Sequence, residues 1–140
     1  MIVMNEILGG LFSSRINLNL REAHGYTYGA SSTFVFRRSA GPFVISSGVR
    51  TDVTAPAVSE VMKEVKRMRE TDVTADELTL AKDSLVRSLP SDFETSASAS
   101  TTTANLFLYD LPADYYVKAQ ARIAAVNTAA VAAAARKYFV

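Results

Sequence analysis

The sequence has 140 residues, one of them a histidine, His24, and none a cysteine. Those two counts remove much of the catalytic repertoire. A catalytic zinc ion usually takes three protein ligands, most often two or more of them histidines, and one His cannot supply that set. Without cysteine there is no thiolate nucleophile, no thiolate metal site and no disulfide. A Ser-His-Asp arrangement is allowed by count but would have to be built on His24. That residue lies in Ala23-His24-Gly25, with no Gly-x-Ser-x-Gly elbow beside it. His24 is better read as a helix-end residue, whose protonated ring suits the negative end of the helix dipole. Neither a catalytic residue nor a metal ligand is expected in this chain.

Composition narrows the partners. The length fits one domain, residues 1–140, and 49% hydrophobic residues are enough for a continuous core. Fifteen basic residues stand against 14 acidic ones, a net charge of +1. That gives neither the basic face of a nucleic-acid binder nor a polybasic membrane anchor. The longest apolar stretches fall far short of the ~20 residues that span a bilayer. The opening residues, Met1 to Glu6, carry no basic region and no long apolar run, so no signal peptide is expected there. Periplasm and cytoplasm both suit a cysteine-free chain.

The elements come from the spacing of apolar residues. From Ile2 to His24 the pattern is helical, interrupted at Gly9-Gly10, which predicts a helix end, a tight bend and a second helix. Ser13 or Ser14 is placed to cap that second helix, and Gly25 to end it in the left-handed conformation. Thr27 to Phe36 and Pro42 to Val49 are β-like, and the residues between them predict a hairpin with a loop longer than two residues. Val58, Val61, Met62, Val65 and Met68 form one predicted apolar helical stripe from Thr54 onward, with Pro56 in the first turn. Glu60, Lys63, Glu64, Lys66 and Arg67 form its predicted solvated face. Thr74-Ala75-Asp76-Glu77 matches a capping box, opening a helix that should end near Pro90. Ser96 to Thr103 is nearly all Ser, Thr and Ala, read as a closely packed helix rather than a mobile linker. Pro112-Ala113-Asp114 should open a helix through Ile123, and Asn127 should cap the last one, with Val131 facing in. The expected class is α+β, two layers, an antiparallel sheet covered on one face by helices. Two strands alone are marginal, so strands are expected to be missing and the chain to be truncated at both ends.

Two stretches carry a resemblance. Leu8-Gly9-Gly10-Leu11-Phe12-Ser13-Ser14-Arg15-Ile16 is the first. The second is Leu20-Arg21-Glu22-Ala23-His24-Gly25-Tyr26-Thr27-Tyr28-Gly29. In order, they resemble the insulinase/pitrilysin family of zinc peptidases, inverzincins with an H-x-x-E-H motif. The likeness is to the family's C-terminal domain, which lacks zinc. It continues through Thr74 to Leu78, Leu111 to Tyr116, Ala125 to Val131 and Ala135 to Tyr138. It implies a mitochondrial-processing-peptidase-like metallohydrolase fold, with zinc held by an H-x-x-E-H partner domain in the same polypeptide or a separate subunit. Peptides are the implied substrates. The family pairs an arginine with an aromatic residue seven positions later, and Arg21 and Tyr28 have that spacing. The resemblance implies that these two bind substrate near the scissile bond. A guanidinium offers a fixed fork of donors to peptide carbonyls, and a Tyr hydroxyl can donate to an oxygen that becomes negative.

Plainer readings stand beside this one. Arg21 could pair with Glu22 or with helix-end carbonyls, Tyr28 could be one strand aromatic among several, and Tyr26 competes for the tyrosine role. Gly9 and Gly10 could admit substrate backbone or simply break the helix. The chain as a whole could be an inactive peptidase-like scaffold, as in respiratory-complex core subunits, or a generic helical interaction domain.

Overall fold

The computed structural model describes residues 1–139. Helix α1 (Ile2–Asn5) runs without a break into a wider π-type turn, Glu6–Gly10, and Leu11 then leaves in an extended conformation. After a short bend, α2 (Arg15–Asn17) continues into a second π-type turn, Leu18–Ala23. The glycine pair therefore separates two helical segments, as the interrupted pattern predicts. Ser14 takes the N-cap position, but its hydroxyl accepts from the Asn17 side-chain amide at 3.1 Å and makes no cap bond to the helix backbone.

Strands β1 (Ala30–Phe34) and β2 (Phe43–Ser47) pair antiparallel, from Ala30 opposite Ser47 to Phe34 opposite Phe43. Alternation along the hairpin sends Ser32, Phe34, Phe43 and Ile45 toward the helices and leaves Ser31, Thr33, Val44 and Ser46 exposed. The inner face is aromatic. Phe43 lies 4.6 Å from Phe34 and 4.8 Å from Phe139, centroid to centroid. No other strand occurs among the described residues.

Among the described residues five α-helices follow: α3 (Thr54–Glu70), α4 (Ala75–Ser88), α5 (Ser96–Leu108), α6 (Ala119–Ala124) and α7 (Thr128–Tyr138). The capping box of α4 forms in both directions, Thr74 Oγ1 accepting from the Glu77 N–H at 3.1 Å and Glu77 accepting from the Thr74 N–H at 2.8 Å. Asn127 caps α7 at 2.9 Å, and Val131 is buried. The Ser/Thr/Ala tract is helical, opened by a second capping box of Thr95 and Ser98. Residues 113–118 are successive turns, so regular helix begins at Ala119 rather than at Pro112. Met4, Leu8, Ile16, Leu20, Met68 and Val131 are the largest fully buried apolar side chains. The core thus sits where α1, α2, α3 and α7 meet behind the hairpin.

Helix α3 corrects the predicted stripe. Val58 and Met62 are exposed, while Ala57, Met68 and Glu64 are buried. Glu64 belongs to the face predicted to be solvated, yet the Asn19 side chain donates to it at 3.0 Å and Arg67 lies 3.5 Å away. A buried carboxylate is tolerable when it is hydrogen-bonded and paired, and Glu64 shares the inward face of the helix with Val61, Val65 and Met68 of the predicted stripe.

Candidate functional site

The site is built around a chain reversal. Arg21 lies in the last turn of the second helical segment, and Gly25 follows with φ +62°. In that left-handed geometry the Gly25 N–H bonds the Arg21 carbonyl at 3.1 Å, and the Tyr26 N–H bonds the Leu20 carbonyl at 2.8 Å. The next residues are pinned to the end of β2. The Thr27 hydroxyl lies 2.8 Å from the carbonyl oxygens of both Gly29 and Gly48, and it accepts from the Gly29 N–H at 3.1 Å. Tyr28 rides on this turn, two residues before β1, and is 99% exposed.

Asn17 ties the helical segment to the strand. It is buried, and its amide imitates a strand neighbour. Oδ1 accepts from the Ala30 N–H at 2.8 Å, while Nδ2 donates to the Ala30 carbonyl at 2.6 Å and the Leu11 carbonyl at 3.0 Å. Arg21 is one helical turn past Asn17, and Tyr28 is two residues before Ala30. One side chain therefore sets the spacing between them.

Arg21 and Tyr28 line one open cleft of 590 Å³, together with Tyr26, Gly48, Val49 and Arg50. Tyr26, the competing tyrosine, is half-buried, and its ring lies tilted against His24 at 5.0 Å between centroids. Arg21 is paired as the plainer reading anticipates, with Nε donating to Glu22 Oε1 at 2.8 Å and Nη2 2.7 Å from the same oxygen. The Phe12 ring lies 3.3 Å from its Cζ, and Nη1 has no partner. Arg50 carries no motif of its own in the sequence. The hairpin register locates it, because extending the Ala30–Ser47 pairing brings residues 48–50 beside residues 27–29. Its hydrogen bond to Asp52, at 3.2 Å, holds that carboxyl below the usual carboxylate range.

Gly9 has a packing role. A Cβ there would lie 2.5 Å from Ser32 Oγ and 2.9 Å from Ser32 N, so the first helical segment crosses β1 too closely for any side chain. Gly9→Ala is expected to destabilise the fold by about 2 kcal/mol, read as a lower urea midpoint at an unchanged m-value; a variant as stable as wild type would mean that the crossing adjusts freely. Gly9, Gly10 and Phe12 also line a second groove, which shares Gly48 with the first.

No catalytic triad assembles on His24. The ring is exposed, and its Nδ1 donates to the Asn19 carbonyl at 3.0 Å. Among the described residues no group of three His, Cys, Asp or Glu side chains is placed to hold a metal ion, so the donor set does not fit zinc. No helix among them is long and apolar enough to cross a membrane.

A family model for the peptidase M16 inactive domain matches residues 1–85, which include every residue of this cleft. The chain belongs to that family. Three solved structures extend the likeness. The peptidase M16 inactive domain from Pseudomonas fluorescens is 27% identical, with a TM-score of 0.88 over 98% of this chain and 33% of that one. A protease from Helicobacter pylori is 17% identical, with a TM-score of 0.85 over 99% of this chain and 34% of that one. A conserved protein from Enterococcus faecalis V583 is 20% identical, with a TM-score of 0.83 over 96% and 31%. The latter two share the fold alone. The M16 inactive domain seen here spans about a third of the length of those chains. No protein of curated function matches the sequence. Helices α5 to α7 lie beyond the family match but within the fold shared with the Pseudomonas domain. Membership makes this M16 domain a non-catalytic, peptidase-like unit.

Proposed function

We propose that residues 1–140 form a single substrate-binding domain of a zinc metalloendopeptidase that acts on unfolded peptides. Hydrolysis belongs to a separate H-x-x-E-H domain, in the same polypeptide or in another subunit, and that domain holds the zinc. The observation that carries this reading is the shared cleft, which Arg21 and the fully exposed Tyr28 both line. Arg21 offers guanidinium N–H groups to backbone carbonyls of the bound peptide. The Tyr28 hydroxyl is free to donate to an oxygen as it gains charge, which is the arrangement that favours a transition state over a ground state. The cleft has no strong net charge, because Glu22 balances Arg21 and Asp52 balances Arg50. Neutral carbonyls are therefore better ligands for it than free carboxylates.

Fluorescein-labelled β-casein, a chain without fixed structure, tests the binding role by fluorescence anisotropy. Wild type is expected to bind, and Arg21→Ala to weaken binding by about tenfold, the loss of one charged hydrogen bond. Tyr28→Phe should weaken binding little, because its bond matures only as charge develops. Absence of binding by wild type, or affinity unchanged in Arg21→Ala, would favour an inactive peptidase-like scaffold instead.

A further inference from the structure

Phe12 has no role in the function just proposed, yet it makes the closest aromatic contact to the proposed binding residue. It sits on the bend between the two helical segments and is 72% exposed. An apolar ring that exposed contributes little to the core. What it does touch is Arg21, whose Cζ lies 3.3 Å from the ring centroid. Glu22 takes Nε and Nη2 along one edge of the same guanidinium, both through Oε1. Nη1 remains buried and without a hydrogen-bond partner. The guanidinium is thus fixed in two directions, by an ion pair in its plane and a π face across it.

We propose that Phe12 is a positioning residue for Arg21, fixing the guanidinium plane so that a peptide carbonyl reaching Nη1 meets a donor already oriented. This inference rests on Arg21 binding substrate. A long arginine side chain left free would lose rotamer entropy when it engages a ligand. A ring stacked on it removes part of that loss in advance, and the cation–π attraction supplies the energy that keeps it there. The unpartnered donor gives the direction of the effect, since a buried N–H without an acceptor is costly and a carbonyl oxygen relieves that cost. The ligand class follows as well. Glu22 already neutralises the charge, so the remaining donor suits the neutral backbone carbonyl of an extended peptide.

The test is a double-mutant cycle on β-casein binding by the same anisotropy measurement. Phe12→Leu keeps apolar bulk without the π face, and Phe12→Trp keeps the π face. Phe12→Leu is expected to weaken binding about fivefold, the size of an exposed cation–π contact, with Phe12→Trp near wild type. In an Arg21→Ala background Phe12→Leu should have no further effect, because Phe12 acts through Arg21. The exposure of Phe12 predicts unchanged thermal stability in both single variants. Loss of affinity that persists without Arg21 would mean that Phe12 touches the peptide directly, and affinity unchanged or raised in Phe12→Leu would make the ring a bystander or a cover. Either result overturns the positioning role and leaves the substrate role of Arg21 intact, whereas an Arg21→Ala variant that binds as wild type overturns both.

Discussion

Glu77→Ala is expected to cost about 4 kcal/mol of folding stability, the largest single effect predicted for this domain. Arg15 opens α2, and its side chain is only 4% exposed. Its Nε and Nη2 donate to the two Glu77 oxygens at 2.6 and 2.8 Å, a bidentate pair that fastens α2 to the first turn of α4. Removing the carboxylate leaves a buried guanidinium without a counter-charge, and its Nη1 has no partner even in the intact pair. The same substitution removes the Glu77 half of the α4 capping box. Domains are stable by only about 5–15 kcal/mol, so this loss takes much of the total. Acid should reproduce it. The Arg15 hydrogen bond holds the Glu77 carboxyl at about 2, against an ordinary 4.5. A depressed carboxylate contributes stability that is fully present above its unfolded value and lost as pH falls through its folded value. The contribution should therefore fade from about pH 4.5 down to about pH 2. Urea denaturation across that window should show a falling wild-type stability and a flatter Glu77→Gln profile; parallel profiles would mean the pair does not govern acid stability.

Asn17→Ala is the second large effect, expected near 3 kcal/mol. The substitution strips partners from the Ala30 N–H, the Ala30 carbonyl and the Leu11 carbonyl at once. Each buried polar group left unmatched costs about 1–3 kcal/mol, and water reaching the opened space offsets part of the sum. Asn17→Asp should rescue poorly, because a carboxylate accepts from the Ala30 N–H but faces two carbonyl oxygens it cannot serve. Hydrogen exchange localises the effect. The Ala30 amide should lose protection far more than amides within α3, reporting a detached start of β1. Wild-type protection at Ala30 in Asn17→Ala would contradict the clamp described here.

Local signals explain which parts of this fold were legible in the sequence. Caps and turns depend on a few neighbouring residues, so the Thr74–Glu77 box, the Asn127 cap and the left-handed Gly25 were readable and are present. The hairpin was equally plain, since alternation and β-branched residues mark both strands. Helix α3 departs from its sequence pattern at three positions, for a non-local reason. Val61, Val65 and Met68 of the predicted stripe do face the core, but Val58 and Met62 are exposed and Glu64 is buried against Asn19, a partner 45 positions away. At residues 113–118 Pro112-Ala113-Asp114 looks like a helix start, whereas the chain makes successive turns and regular helix waits for Ala119.

The site divides the same way. Arg21 and Tyr28 follow from a resemblance whose first two stretches, residues 8–16 and 20–29, lie within the residues matched by the M16 inactive-domain family. Arg50 could have been found from the hairpin register alone. Phe12 and Asn17 could not, since their roles depend on how the bend between two helical segments meets the strand.

Hydrolysis of unfolded protein in the presence of zinc tests the proposed division of labour most directly. The comparison is between this chain alone, an H-x-x-E-H domain alone, and the two together, with wild type, Arg21→Ala and Tyr28→Phe in each mixture. Cleavage is expected only when both domains are present, and to fall about a hundredfold in either variant, the loss seen when one oxyanion donor is removed. Cleavage by this chain alone, or a mixture indifferent to both substitutions, would contradict it.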